Sequence, residues 1–361
     1  MQKNGFDVLV YDLSPLLFNL TSNDDYKNLV VPIHNYSDLE KEINKVKLHS
    51  VFVQLFGNSS KTARIIIMLT RLNVNIVKYN TNVIPTKCQS LSIVNKFKKN
   101  INHFNFKNFI DTIYYIYLKK IKKIKPPNYV VLGGVKSDTY SENFTKKIWS
   151  NTLDYDVFLC KNEQISRIYQ DKYCLFLDDY IIYHPDYKMT GKEETFSKIA
   201  NNYYLKMNNF FNNIEKHYNF KVIIAAHPRS EYEKIGNVWQ NRKIYHNKSI
   251  ELVKYAEFCI THGSTSVNFP ILYQKPILFL TLRELEPLYG NIIDAFAEAV
   301  GKDKTFIDKE FKKEEIDFKL EINSKKYKIY KEEYIKRFNT VEKNSWQVFA
   351  DFLKDENAIE K

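Results

Sequence analysis

Short uninterrupted apolar runs in the second half of the chain predict a buried parallel β-sheet. The runs are Tyr173–Leu177, Val222–Ala226, Phe258–Ile260 and Ile277–Leu280. Segments of helical length separate the last three, and polar residues follow each run. Unbroken rather than alternating apolar residues are typical of strands covered on both faces. The pattern therefore predicts a domain in which parallel strands alternate with crossover helices.

The first part of the chain shows the same alternation. Its predicted strands are Asp7–Tyr11, Ser50–Leu55, Val74–Tyr79 and Tyr129–Leu132, and its predicted helices are Tyr36–Val46 and Thr62–Leu72. Strand, glycine turn, helix and strand form a βαβ unit. We therefore predict two α/β domains, residues 1–150 and 151–340, and a C-terminal helix over 341–361 that packs back on the first domain. Asp154–Leu159 is predicted as a short strand, and Glu193–Tyr218 as one long helix.

Composition places the chain among globular proteins. It has 361 residues, of which 44% are hydrophobic and 15% aromatic. No apolar run reaches the roughly 18 residues that a membrane span requires, and the N-terminus lacks the layout of a secretory signal. The four cysteines are scattered without a CxxC pair. We therefore expect buried thiols and a cytoplasmic protein.

The net charge of +12 raises the question of nucleic acid. However, Lys, Asn, Ile, Tyr and Phe are abundant while Gly, Ala and Arg are scarce, a bias typical of AT-rich codon usage. No recognised nucleic-acid-binding motif occurs. The sequence thus predicts no nucleic-acid partner, and it favours phosphates or an anionic membrane surface as acidic partners.

Polar clusters follow three of the predicted strands and mark the candidate site. They are Asp178-Asp179, His227-Pro228-Arg229 and His262-Gly263-Ser264-Thr265-Ser266. Ligands of an open parallel sheet bind outside the carboxyl ends of its strands, so these clusters should face one crevice. The serine-rich cluster also precedes a predicted helix, whose free N–H groups and dipole suit a phosphate.

Each cluster has a chemical and a structural interpretation. One of Asp178 and Asp179 could act as a general base, since the two point to opposite sides of an extended chain; alternatively they cap a turn or form ion pairs. His227 and Arg229 could donate to a phosphate, or His227 could be structural. No HExxH motif occurs and the histidines lie far apart in sequence. The predicted site therefore has no metal and no cofactor.

Two further segments remain open. The turn Gly57-Asn58-Ser59-Ser60-Lys61 lacks the spacing of a phosphate loop and is better explained as a substrate-side loop or a helix cap. Residues 96–125 interleave lysines with aromatic and aliphatic residues and contain one acid, Asp111. A basic, aromatic, amphipathic helix is typical of a surface that lies on anionic lipid. The alternative is a helix that packs between domains with solvated lysines.

With these motifs in order, the chain resembles bacterial sialyltransferase-like glycosyltransferases of the GT-B type, which have two Rossmann-like domains facing a central cleft. The matching positions are Asp178-Asp179, His227-Pro228 and Ser264-Thr265-Ser266. The resemblance covers roughly 173–281. It implies that an acid activates the acceptor hydroxyl and that the other two motifs hold the nucleotide and phosphate of a CMP-sugar. Tyr180 stands where that family has glycine.

The function expected from this resemblance is inverting transfer of an acidic sugar, of the sialic or Kdo type, from a CMP-sugar to a surface glycan or glycolipid. Asp178, Asp179 and His227 are the expected catalytic residues. His227, Pro228, Arg229 and residues 262–266 are expected to bind the donor. The alternatives are a CDP-linked polyol-phosphate transferase of the teichoic-acid type, a UDP- or dTDP-sugar glycosyltransferase, and a nucleotide-sugar-binding protein without turnover. A cytoplasmic enzyme that binds the inner membrane peripherally would fit residues 96–125.

Overall fold

The structure is a computed structural model of the 361-residue chain. It describes residues 1–18, 30–57, 59–87, 113–118, 120–121, 124–139, 145–187 and 191–356. Structural statements below concern these residues. Most of the lysine-rich segment 96–125 and one of the four cysteines, Cys88, lie outside them.

Twelve strands build the sheets. They are β1 Val10–Asp12, β2 Val30–Pro32, β3 Val51–Gln54, β4 Asn75–Asn80, β5 Tyr129–Leu132, β6 Lys146–Trp149, β7 Tyr173–Leu177, β8 Lys221–Ala226, β9 Ile244–His246, β10 Cys259–Thr261, β11 Ile277–Thr281 and β12 Thr305–Phe306.

The helices that accompany them are α1 Ser14–Phe18, α2 Tyr36–Val46, α3 Ser60–Arg71, α4 Leu153–Lys161, α5 Glu193–Ser197, α6 Ala200–Tyr218, α7 Tyr232–Ile235, α8 Ser249–Tyr255, α9 Asn268–Leu272, α10 Glu286–Ala299, α11 Lys313–Lys319, α12 Ser324–Tyr330 and α13 Ser345–Asp355. Residues 113–118 are also helical.

Both domains contain parallel sheets. In the first domain β3, β4, β5 and β6 pair in that order, and β1 and β2 form a separate parallel pair. In the second domain six parallel strands follow the order β9-β8-β7-β10-β11-β12. Numbered within the domain this is 3-2-1-4-5-6, the strand order of a Rossmann fold. The predicted α/β class with two Rossmann-like domains is confirmed.

The second sheet is buried because helices cover both of its faces. Along β7, Cys174 and Phe176 contribute to one apolar core, while Tyr173, Leu175 and Leu177 contribute to the other. Every residue of β7 is buried. Alternation between two apolar layers explains why these strands show no polar face in the sequence.

The chain crosses between the domains after β6, and α13 returns to the first domain. Phe349 and Leu353 of α13 pack against Val77, Val131 and Ile148 of the first sheet. Asp156 of α4 holds the start of α13 in place, because it accepts hydrogen bonds from the Ser345 backbone N–H and hydroxyl.

Three predictions require correction. Asp154–Leu159 belongs to a helix, α4, because the Thr152 side chain caps the backbone N–H of Tyr155. Glu193–Tyr218 is two helices, α5 and α6. Cys160 is exposed, whereas Cys174 and Cys259 are buried as expected. The turn at Ser59 is a helix cap, since its side chain and that of Thr62 form a capping box at the start of α3.

Candidate functional site

The candidate site lies where the strand order of the second sheet reverses. β7 and β10 are neighbours there, with Leu177 in register with Thr261. Asp178 and Asp179 follow β7, and His262 and Gly263 follow β10. A crevice at such a switch point is the usual binding place of open α/β sheets. The structure thus brings the acid pair and the glycine-serine cluster together.

Asp179 is a buried carboxyl group with one oxygen that no described residue hydrogen-bonds. Its Oδ2 accepts the backbone N–H of Gly263 at 3.1 Å. Its Oδ1 is buried and lacks a hydrogen-bond partner among the described residues. Burial, reinforced by the charge of Asp178, raises the pKa of Asp179 to about 8, although Ser264 and the Gly263 N–H act in the opposite direction. Asp179 is therefore mostly protonated at neutral pH and can exchange a proton near pH 8.

Asp178 is satisfied by its surroundings. Its Oδ1 accepts the Tyr180 backbone N–H at 2.9 Å, and its Oδ2 accepts the Tyr232 hydroxyl at 2.5 Å. Burial raises the pKa of Asp178 to about 6, while these hydrogen bonds counteract the rise. Both oxygens are engaged, so Asp178 supports the turn after β7. Of the two candidate bases, only Asp179 has an oxygen atom without a hydrogen-bond partner among the described residues.

Tyr180 has the backbone conformation that glycine adopts most easily. Its φ is +53°, in the left-handed region. The ring is buried and packs against Tyr232 with centroids 5.4 Å apart. The hydroxyl accepts the backbone N–H of Glu231 at 3.3 Å. The tight turn that a glycine would allow after two acids is thus present here, stabilised by aromatic packing.

Two His-Pro turns face each other beside the acids. The rings of His184 and His227 lie 5.0 Å apart between centroids. The Nδ1 atom of His227 accepts the backbone N–H of Arg229 at 3.1 Å, so the proton of the neutral ring is on Nε2. Burial, together with the nearby His184 and Arg229, lowers the pKa of His227 to about 4. His227 is a neutral hydrogen-bond donor throughout the physiological range.

Arg229 is held in place by the opposite turn. Its guanidinium bonds to the Asp186 carboxylate at 2.9 Å and approaches Nε2 of His184 at 3.3 Å. The Arg229 hydrogen bond lowers the pKa of Asp186. His184 and Asp186 were not among the predicted site residues, although the second His-Pro dipeptide was visible in the sequence. Only the structure shows that the two turns form one cluster.

The serine-rich cluster forms a tight turn rather than the start of a long helix. The Ser264 hydroxyl accepts the backbone N–H of Ser266 at 3.2 Å. Thr265–Val267 is a 3-10 turn that leads into the five-residue helix α9. Thr265 is exposed, and Ser264 and Ser266 are half-buried. The Thr265 and Ser266 hydroxyls are therefore the candidate donors, since the Gly263 and Ser266 N–H groups are engaged, and the contribution of a helix dipole is smaller than predicted.

His262 lies in the core, which corrects its predicted role in donor binding. The side chain is 0% exposed. Its Nδ1–H donates to the Leu280 carbonyl at 2.7 Å, and its Nε2 accepts the Tyr203 hydroxyl at 2.9 Å. Burial lowers the pKa of His262 to about 4. Both ring nitrogens are occupied, so His262 positions the loop and has no atom left for a ligand.

The first domain presents the carboxyl ends of its own strands near the second domain. Asn82 accepts the backbone N–H of Leu153 at 3.1 Å. A Cβ atom on Gly134 would lie 2.4 Å from the backbone of Glu333, so the two domains approach each other closely there. Lys87 reaches Asp294 and Glu298 of α10 at 3.1 and 2.7 Å. These contacts join the loops after β4 and β5 to the second domain.

No group of three His, Cys, Asp or Glu side chains in the described part of the chain could hold a metal ion. The two acids of α4, at the domain junction, already have hydrogen-bond donors. Asp154 accepts from Asn268 at 2.8 Å, and Asp156 accepts from Asn151 and Ser345. Within the same residues, no helix is long and apolar enough to cross a membrane.

Comparison with known proteins finds likeness of structure only. No protein-family model matches the chain, and no curated protein sequence matches it. The solved structure of CalG4, the calicheamicin glycosyltransferase, is 12% identical, with 89% of this chain and 78% of that chain covered and a TM-score of 0.47. A co-structure of S. aureus MnaA with UDP is 13% identical, with 90% and 80% covered and a TM-score of 0.46. MurG of Acinetobacter baumannii is 8% identical, with 88% and 76% covered and a TM-score of 0.39. Similarity at this level indicates neither a substrate nor a reaction for this chain.

Proposed function

We propose that this chain is a glycosyltransferase that uses a nucleotide-activated sugar. The observation that carries the proposal is the buried Asp179, whose unpartnered Oδ1 lies at the switch point of a Rossmann-type sheet. Gly263 joins it to the serine-rich turn through a 3.1 Å hydrogen bond. A base and a set of phosphate donors at one crevice are the parts that glycosyl transfer requires.

Asp179 is the proposed general base. Its pKa of about 8 means that it is ionised in a minority of molecules at pH 7 and is then a strong enough base to accept the proton of an acceptor hydroxyl. The hydroxyl oxygen attacks the anomeric carbon, and the bond from that carbon to the donor phosphate breaks. The electron pair of the breaking bond leaves with the nucleotide phosphate. One displacement at this carbon inverts its configuration.

The phosphate charge that develops in this step needs donors. His227 supplies Nε2–H, and the Ser264–Ser266 turn supplies hydroxyl groups. Arg229 adds a positive charge that Asp186 orients. Pro228 restricts the turn between His227 and Arg229. Donors that are already fixed in position stabilise the negative charge of the transition state, because they need not reorganise as that charge develops.

The donor nucleotide has four candidates. The resemblance of the acid pair, the His-Pro pair and the serine-rich turn to sialyltransferase-like enzymes favours a CMP-sugar with an acidic sugar, transferred to a glycan or glycolipid. The alternative is a UDP-sugar, which would make this a UDP-sugar glycosyltransferase. A CDP-linked polyol phosphate and a dTDP-sugar complete the set to be tested.

The test is thermal unfolding with CMP, CDP, UDP and dTDP, measured for the wild type and for Arg229→Ala. A ligand at 100 times its dissociation constant should add about 2.7 kcal/mol to the free energy of unfolding. One nucleotide should stabilise the wild type, and the substitution should reduce that effect. If no nucleotide stabilises the protein, the proposal is contradicted. If UDP alone stabilises it, the donor is a UDP-sugar and not a CMP-sugar.

A second measurement separates an enzyme from a binding protein. Asp179→Asn retains the shape of the side chain but removes the base. The variant should bind the stabilising nucleotide as the wild type does and lose transfer of sugar from the matching donor by about 100-fold or more. Equal transfer rates for the two proteins would remove Asp179 from the mechanism. Binding of donor by the wild type with no transfer to any acceptor would favour a binding protein without turnover.

A further inference from the structure

A helical segment of the first domain exposes apolar side chains along one face. Ile113, Ile116, Tyr117 and Ile121 have 51, 48, 56 and 41% of their surface accessible. Ile113, Ile116 and Tyr117 are spaced i, i+3 and i+4 in the helix 113–118 and lie on one side of it, and Ile121 follows in a turn. These four side chains are called the exposed stripe. The outward face of a helix on a globular protein is normally polar.

The inward side of this segment is already packed. Leu118 and Ile124 are buried and join Ala63 and Ile66 of α3 in a small apolar cluster. The exposed stripe therefore does not belong to the core of the domain. It is held in place by α3 while its apolar side chains point away from the residues that the structure describes.

The charged residues between Ile113 and Lys125 are all lysines, and the nearest acid before them is Asp111. Lys120 and Lys125 are exposed on the same segment. The sequence adds Lys119, Lys122 and Lys123, and no acid occurs between positions 112 and 128. Aromatic and aliphatic residues flanked by lysine match the interface of a bilayer whose headgroups are negative. The charge pattern gives no comparable support for a protein as the partner of this stripe.

We propose that the exposed stripe and its lysines dock this chain on an anionic phospholipid surface. Phe56 packs against the same cluster, and it lies two residues after the end of β3, at the carboxyl edge of the first sheet. Ala63 lies in the first turn of α3, which begins at that edge. The docking surface is therefore next to the edge where an acceptor would enter. The inference concerns binding alone and does not require the proposed reaction.

The experiment measures binding of the full chain to vesicles of phosphatidylcholine containing 30% phosphatidylglycerol. Two variants are compared with the wild type: Ile113→Ser/Tyr117→Ser/Ile121→Ser, and Lys120→Gln/Lys125→Gln. A lysine near such a surface is worth about 1 kcal/mol, so the double substitution should weaken binding about 30-fold at low salt. The triple substitution should weaken binding by a similar factor or more, because three side chains lose apolar burial. All of these side chains are exposed, so the melting temperature should not fall.

The matched control carries comparable substitutions on the other domain. Phe318, Ile329, Lys325 and Lys328 are also exposed. Phe318→Ser/Ile329→Ser/Lys325→Gln/Lys328→Gln should bind vesicles as the wild type does. Equal loss in the control would show attraction by net charge rather than docking by this stripe, and would overturn the proposal. Wild-type binding that is equally strong on pure phosphatidylcholine, or absent on anionic vesicles, would overturn it too.

Discussion

The backbone N–H of Gly263 donates to Oδ2 of Asp179 across 3.1 Å. This bond connects the loop after β10 to the loop after β7 at the point where the strand order reverses. It occupies one carboxylate oxygen and leaves the other without a partner among the described residues. Both oxygens of Asp178, by contrast, are engaged by Tyr180 and Tyr232.

The conformation of Gly263 leads to the first prediction. Its φ is +148°, and a Cβ atom there would lie 3.0 Å from the Phe296 ring. Gly263→Ala should lower the free energy of unfolding by more than about 1 kcal/mol, because the backbone is strained and the ring must shift. Gly57→Ala is the control, since a Cβ atom on Gly57 meets nothing within 4 Å. It should change stability by less than about 0.5 kcal/mol in denaturant unfolding. Equal effects would contradict the packing around Gly263.

The second prediction contrasts two histidines. His262→Ala should cost about 2–4 kcal/mol of stability, because it leaves a cavity and deprives the Leu280 carbonyl and the Tyr203 hydroxyl of their partner. His227→Ala should cost less than about 1 kcal/mol, since the ring lies at the end of a strand. It should nevertheless abolish most of the stabilisation by the donor nucleotide. Denaturant unfolding with and without nucleotide measures both quantities. A large loss of stability in His227→Ala, with normal nucleotide binding, would make His227 structural.

The third prediction concerns pH. Asp179 has a pKa of about 8 in the folded chain and an ordinary value of 3.8, while Asp178 titrates at about 6. Between 3.8 and its pKa in the folded chain, each carboxyl group is ionised in the unfolded state and protonated in the folded state. The free energy of unfolding should therefore fall as pH rises from about 4 to about 8, by up to about 1.4 kcal/mol per pH unit for each group, and level off above 8.

Asp179→Asn should remove the decline between about pH 6 and 8, because asparagine does not ionise. It should also raise stability at pH 8, where the wild type must bury a charge. Urea unfolding at half-unit pH intervals measures both effects. An unchanged decline between pH 6 and 8 would assign the titration to another group.

The fourth prediction compares two acids of α4. Asp156 accepts three hydrogen bonds, from Asn151 and from the N–H and hydroxyl of Ser345. Asp156→Asn should cost about 2–3 kcal/mol, because an amide group would turn its own N–H toward one of these donors. Asp154 accepts one bond, from Asn268, and burial raises its pKa to about 6. Asp154→Asn should change stability by less than about 1 kcal/mol at pH 7.5. A smaller loss in Asp156→Asn than in Asp154→Asn would show that α13 is not fastened through Asp156.

Local patterns in the sequence were sufficient to predict most elements. Tyr173–Leu177, Tyr129–Leu132 and the helix Tyr36–Val46 have the predicted bounds. Continuous apolar runs and the 3.6-residue period are local consequences of burial, so they can be recognised without the fold. The edge strand β6, Lys146–Trp149, was missed because an edge strand tolerates charged residues and lacks such a run. The strand prediction for Asp154–Leu159 is wrong because the buried residues of α4, Tyr155 and Asp156, are adjacent and show no helical spacing.

The sequence also identified the three motifs of the site and placed them at the ends of strands. Only the tertiary structure decided what each residue does there. His262 and His227 are the same residue type after similar strands, yet one is enclosed by Tyr203 and Leu280 and the other faces His184. Asp178 and Asp179 are adjacent in the chain, yet only one retains an unpartnered oxygen. Strand propensity depends on neighbours in sequence, whereas burial, hydrogen-bond partners and pKa depend on neighbours in space, which are set by the 3-2-1-4-5-6 order of the sheet.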